Sequence, residues 1–292
     1  MQVHDEKPIN VFYDARQSVA SNNSFSQSAE KPAKVLESWQ RLGIPLEVYS
    51  FEPLTADDIA LAHDRRYVES VLALEEENGF GNTNPLVAAA LPWVCGSMVA
   101  AALHSYVTGE LSFSPTSGAH HARYDCCGVY CTFNFLVIAA IKAHQAGAAK
   151  VGILDLDCHY GDGTDDIIRH LGLDFIAHYS FGAEAIEKGA KAQAWLKKLP
   201  EIVRSFRNVD LFIYNAGVDA HLEDPLGGVL STQQLEQRDQ LVFRHARHWG
   251  LNICVSLAGG YQADRDGNIS RVLALHDNTF RAGWEEYCQK RR

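Results

Sequence analysis

Four short stretches hold most of the residues able to do chemistry: SGAHHARYDCCG at 117–128, DLDCHYGDGT at 155–164, AGVDAHLEDPLGG at 216–228 and AGGYQAD at 258–264. In the second, Asp155, Asp157 and His159 alternate, so in extended backbone they project to one side. Asp157 and His159 can therefore hold one metal ion, with Asp219 from the third stretch as a candidate third ligand. Two carboxylates and an imidazole leave a position open for water, as in a catalytic rather than a structural centre. The donor types suit Zn²⁺, and Fe²⁺, Mn²⁺ or Co²⁺ are compatible. One such Asp alone would be an ordinary cap for the helix that Thr164 opens, but a cap does not need the whole set. Gly161 and Gly163 give the backbone freedom that close approach around a site requires.

The tandem imidazoles His120 and His121 lie in an uncharged, apolar neighbourhood, where burial without hydrogen-bonding partners is costly. Asp155 and Asp162 are the spare carboxylates that could fix their tautomers and raise their basicity for acid-base work near neutral pH. Tyr261, after Gly259 and Gly260, could donate a hydrogen bond to a developing oxyanion.

These residues need a scaffold that brings distant segments to one rim. Apolar runs at 151–156, 174–180, 210–216 and 252–258 alternate with helical stretches at 183–206 and 232–249, and a helix is expected at 133–144. Continuous apolar strands separated by helices imply a mostly parallel sheet covered on both faces, a three-layer α/β domain. Ligands in such sheets bind beyond the carboxyl ends of the strands, and three of the four chemical stretches begin there. Upstream, strands are expected at 9–14 and 46–51, and helices at 33–43, 55–62, 66–77 and 92–107, with 18–28 as loop.

Length and composition set the outer bounds. The 292 residues, 47% hydrophobic, fit one domain spanning 1–292 without a linker. A net charge of -10 disfavours nucleic acid and anionic membrane as partners, and the tail EEYCQKRR is too short a basic cluster to alter that. Seven cysteines, an odd number without zinc-finger spacing, read as reduced thiols of a cytoplasmic protein. MQVHDEKPIN lacks the pattern of a signal peptide. Residues 78–109 carry no Asp, Glu, Lys or Arg, but Pro85, Pro92, Gly96 and a high alanine content favour a helix inside a core over a membrane span.

Taken together and in this order, GAHHARYDCCGVY, DLDCHYGDGT, AGVDAHLEDPLGG and AGGYQAD resemble the histone deacetylase and acetylpolyamine amidohydrolase family, whose fold is shared with arginases. HDRRYVESV at 63–71 is a weaker upstream likeness. The resemblance implies the arginase-deacetylase fold and a metal, typically Zn²⁺, held by Asp157, His159 and Asp219. His121 would act as general base and His120 as its electrostatic partner. Asp155 would orient His120 and contribute to a structural K⁺ or Na⁺ site with the backbone carbonyls of Asp157 and His159. Asp162 would orient His121, and Tyr261 would hold the oxyanion. Gly128, Val129 and Gly260 would line the substrate channel, Val129 standing where many members carry a channel-wall Phe. The expected reaction is hydrolysis of an N-acylated amine such as acetyl-lysine or an acetylpolyamine, by a protein expected to be monomeric.

Two departures accompany the match: NNSFSQSAEKP stands where members usually have His-Pro-Glu, and SFGAEAIEKG replaces a longer aromatic loop after Tyr179. An arginase-like binuclear ureohydrolase is the enzymatic alternative, and a binding module on the same fold is the non-catalytic one.

Overall fold

Seven parallel strands form one sheet in the order β2-β1-β3-β7-β6-β4-β5 in a computed structural model that describes residues 7–21, 24–184 and 186–289. They are β1 (Ile9–Phe12), β2 (Leu46–Tyr49), β3 (Ser112–Ser114), β4 (Val151–Asp155), β5 (Ile176–Ser180), β6 (Leu211–Gly217) and β7 (Ile253–Ala258). The central strands β4, β6 and β7 are buried along their whole length. That is why they read as unbroken apolar runs rather than alternating ones.

One face of the sheet is covered by α1 (Lys31–Arg41), α7 (Ala190–Ser205), α8 (Thr232–His248) and α9 (Ser270–Tyr287), whose inward residues share a hydrophobic cluster with Phe113, Phe212, Tyr214 and Val255. The other face is covered by α2 (Ala56–Ile59), α3 (Arg65–Leu72), α4 (Pro85–Thr108), α5 (Phe135–Gln145) and α6 (Asp162–Leu171), packed on Ile153, Ile213 and Cys254. The expected three-layer α/β arrangement is therefore the observed one.

Several boundaries differ from the sequence reading, each for a local reason. The helix expected from 92 begins at Pro85, because Asn84 caps it through the Leu86 amide and Pro85 occupies the first turn, leaving Pro92 in the interior. This α4 is long and apolar enough to cross a membrane, yet 61% of its most apolar window is buried, against α5 and strands β1, β3 and β7. The helix expected at 66–77 stops at Leu72, and Leu74 then takes a left-handed φ of 66°. Residues 181–184 form a 3₁₀ turn, so α7 starts only at Ala190.

Two elements escaped the sequence reading. Strand β3, SFS, has a polar face, but Ser112 and Ser114 hydrogen-bond at 2.7 Å to Ser105 and Ser97 of α4, so the serines are satisfied inside the core. Helix α9 closes the α8 side. The readings of the MQVHDEKPIN stretch and of the basic tail both concern residues that lie partly outside those described.

His63 illustrates how the loops are tied down. Its Nε2 accepts from the Asn134 amide at 2.8 Å and its Nδ1 donates to the Arg123 carbonyl at 2.8 Å, which requires the neutral ring. Burial lowers its pKa from 6.5 to about 4. The unfolded chain then binds the proton first, so stability is full above pH 6.5 and declines toward pH 4. We expect His63→Gln to flatten this decline by on the order of 2–3 kcal/mol in urea titrations at pH 7 and pH 4.5. Parallel stability profiles for the two proteins would exclude this role.

Candidate active site

The chemical residues come off four adjacent strand ends. The loop after β3 carries His120 and His121; β4 ends in Asp155 and runs into Asp157 and His159; β6 leads to Asp219; β7 leads to Gly259, Gly260 and Tyr261. The loop after β3 was the one stretch not linked to a strand by sequence, and the structure brings it to the same rim.

Asp157, His159 and Asp219 converge, with one potential ligand atom from each lying within 4.8 Å of the others. His159 Nδ1 is 3.0 Å from Asp157 Oδ1 and 2.8 Å from Asp219 Oδ2. Asp219 Oδ1 accepts from the Cys158 amide at 3.1 Å, while its buried Oδ2 makes no hydrogen bond of good geometry. Both carboxylates are buried. Burial and the neighbouring Asp157 push Asp219 well above the usual carboxylate range. Asp157 and then Asp219 raise His159 to about 11. A protonated imidazole thus serves as the counter-charge between two acids, and a metal cation would meet the same need with better geometry. The orphaned oxygen, the acidic pair and the two-carboxylate, one-imidazole donor set all fit a divalent ion.

Two histidine-carboxylate pairs stand beside this cluster. His120 Nδ1 is 2.7 Å from Asp155 Oδ2, and His121 Nδ1 is 2.6 Å from Asp162 Oδ1; the two rings lie 4.1 Å apart. Asp162 also pairs with Arg123. Burial opposes charge on His120, but Asp155, Asp157 and Asp219 outweigh it and raise its pKa to about 9. On His121, burial and the adjacent His120 lower the pKa against the pull of Asp162. Neighbouring imidazoles pushed apart in this way leave His121 the neutral one, with Nε2 free to take a proton.

Asp155 is held on all sides: its Oδ1 accepts from Asn215 Nδ2 at 2.7 Å and from the Asp157 amide at 3.2 Å, and Ser256 steadies Asn215. Tyr261 is placed by its backbone, since its amide donates to Asp224 at 2.8 Å. Its ring stacks on Phe25 at 6.2 Å and packs 5.5 Å from Tyr130. Burial and the Asp157 and Asp219 carboxylates push the phenol pKa up, so it stays a proton donor.

Of the residues expected along the channel, Val129 is 64% exposed, and the neighbouring Tyr130, at a left-handed φ of 58°, packs 5.5 Å from Tyr261. Gly260 is buried, and a Cβ there would press on Val218 and Val272, so it serves the turn that presents Tyr261. Gly128 packs on the His121 backbone so closely that a Cβ would lie 2.2 Å from its carbonyl oxygen.

Sequence reasoning missed Phe25, Tyr130, Asn215 and Lys31. Lys31, at the start of α1, is fully buried and donates to Ser117 Oγ at 3.2 Å and to the Gly259 carbonyl. Burial lowers its pKa to about 8 against the pull of Asp219, Asp157 and Asp224. A lysine in the first turn of an amphipathic helix gives no sign that it is buried. Asn215 was detectable as the one amide in the apolar run DLFIYNA.

The fold is a parallel α/β sheet whose strand ends gather Asp157, His159 and Asp219 into a group that could hold a metal ion. Comparison narrows the class: the model of the histone deacetylase domain matches residues 26–181 and 182–275, and the chain belongs to the histone deacetylase family. It is 29% identical over 183 residues to an acetylpolyamine amidohydrolase of Mycoplana ramosa, covering 53% of this chain and 52% of that one. It is 30% identical over 182 residues to histone deacetylase 2 of Arabidopsis thaliana, covering 53% and 47%. The chain thus spans about half the length of these curated relatives. Its fold superimposes on an acetylpolyamine aminohydrolase from Burkholderia pseudomallei with a TM-score of 0.72 at 18% identity, over 94% of this chain and 98% of that one.

Proposed function

We propose that this protein is a metal-dependent deacetylase that hydrolyses the amide of an N-acylated amine, with Zn²⁺ as its ion and Fe²⁺, Mn²⁺ or Co²⁺ as substitutes. The convergence of Asp157, His159 and Asp219 beside two histidine-carboxylate pairs carries the reading. When bound, a divalent ion would acidify a water and polarise the acyl oxygen, the two obstacles in cleaving an unactivated amide.

The chain's own groups supply the rest. His121, oriented through Nδ1 by Asp162, presents Nε2 to take the proton of the attacking water and to return it to the departing amine. His120, held by Asp155, keeps positive charge next to the carboxylates. The Tyr261 phenol donates to the oxyanion as the acyl carbon becomes tetrahedral. Phe25 and Tyr130 flank that phenol and supply apolar surface for the chain of the substrate. A structural K⁺ or Na⁺ near Asp155, a cytoplasmic location and a monomeric state complete the proposal.

The relatives named above are an acetylpolyamine amidohydrolase and a histone deacetylase, which supports acetylpolyamines and acetyl-lysine as the substrates to try first. A binuclear ureohydrolase would need further free carboxylates, and those of Asp155 and Asp162 are already engaged. Chelator-stripped protein should be inactive on acetyl-lysine peptides and acetylpolyamines and should regain turnover at one equivalent of ion. Full activity after exhaustive stripping, or maximal activity only at two equivalents, would contradict this function.

A further inference from the structure

The largest buried charged side chain among the described residues has no part in the chemistry described so far. Arg238 projects from α8 into the layer beneath the site and is 1% exposed. Its Nη1 donates to two carbonyls, that of Leu156 at 3.3 Å and that of Gly217. Leu156 immediately precedes Asp157, and Gly217 lies two residues before Asp219. One nitrogen therefore ties together the ends of β4 and β6 at the points where each delivers a carboxylate.

A second contact at the same place is independent of the arginine. A Cβ on Gly217 would lie 2.3 Å from Asp157 Cα, so the two strand ends meet backbone to backbone with no side chain between them. Arg238 is itself fixed: its Nε donates to Asp239 Oδ1 at 2.8 Å, and Asp239 also accepts from Tyr214 and, at 2.6 Å, from Thr279 of α9. Asp239 is 1% exposed as well, so the pair cannot exchange partners with water. A planar guanidinium held at one edge presents its other nitrogens in a fixed direction, which an ammonium would not do.

We propose that Arg238 is a positioning residue for the metal ligands: by bridging the Leu156 and Gly217 carbonyls it sets the separation of Asp157 from Asp219. Without the bridge, two buried carbonyls lose a charged donor, and beyond the Leu156 amide's bond to Asn215 the strand ends are held less tightly. The ligand pair then meets its ion in a looser geometry. Partners outside the ligand sphere are generally worth about 10–100-fold in metal affinity. This inference rests on the metal-centre reading of the site.

The test compares Arg238→Met, Arg238→Lys and Thr279→Val with the parent, using Co²⁺ as probe. Thr279→Val removes a hydrogen bond from the same buried network without touching the bridge, and so reports loss of stability alone. Arg238→Met is expected to weaken Co²⁺ by about 10–100-fold in chelator competition and to alter the visible absorption of the bound ion. Arg238→Lys, which keeps the charge but not the fork, should fall between the two. Thr279→Val should bind Co²⁺ as the parent does, whatever its melting temperature.

Parent-like affinity and spectrum in a folded Arg238→Met would overturn the proposal. If Arg238→Met does not fold, the same result for Arg238→Lys overturns it. A parent that binds no Co²⁺ would instead refute the metal-centre reading itself, so the two failures are distinguishable.

Discussion

Asp219→Asn is expected to abolish metal binding and hydrolysis while raising the melting temperature of the metal-free protein. The side chain keeps its shape, and its amide oxygen can still accept from the Cys158 amide. What is lost is a carboxylate, buried next to a second one and held above the usual carboxylate range by burial and by Asp157. At pH 8 the metal-free parent must ionise that group inside the protein, which costs stability. Each kcal/mol relieved should raise the melting point by roughly 2–4 °C in a chain of this size.

The same charge is what a divalent ion needs. Its loss should lower turnover by roughly a thousandfold or more, in line with the several kcal/mol such an ion supplies. Thermal melts of stripped and Zn²⁺-loaded protein measure both halves. In the parent, Zn²⁺ should raise the melting temperature by mass action on the folded state. In Asp219→Asn that increment should vanish. A variant that binds Zn²⁺ normally, or whose metal-free form melts lower than the parent's, would show that the cluster does not exist to hold a cation.

Tyr261→Phe is expected to lower kcat by roughly 10²–10³-fold with little change in KM, the effect of removing one preorganised oxyanion donor. The ring loses only its hydroxyl, so its packing on Phe25 and Tyr130 persists and the apolar channel wall is preserved. The backbone hydrogen bond from residue 261 to Asp224 is equally untouched. Metal content and melting temperature should therefore match the parent. Steady-state kinetics on an acetyl-lysine peptide decide the matter. Parent-level kcat would remove Tyr261 from the reaction, whereas a rise in KM alone would make it a binding group only. Because the phenol pKa is pushed up, no alkaline loss of activity should arise from its ionisation below about pH 10.

What was legible in the sequence follows from range. Asp155, Asp157 and His159 lie within five residues, so closeness in the chain alone gathers them, although β4 ends at Asp155 and the backbone bends through 157–159 rather than continuing extended. The unbroken apolar runs of β4, β6 and β7 likewise disclose a sheet buried on both faces. Strand β3 was hidden because its serines look solvent-seeking until Ser97 and Ser105 of α4 are brought opposite them. Tyr130 was hidden for another reason: its left-handed turn brings its ring to 5.5 Å from Tyr261, and a turn of that hand at a non-glycine residue leaves no signature in composition.

The sequence by itself determined the parallel α/β layering and, through four motifs in order, the family, because each is written in residue type and short-range pattern. Tertiary structure alone decided that Asp219 meets His159, that Lys31 and Arg238 are buried cations holding strand-end carbonyls, and that Phe25 reaches Tyr261. Those facts depend on which strands become neighbours. A chain of 292 residues leaves that choice to the packing of two hydrophobic layers on one sheet, not to any local stretch.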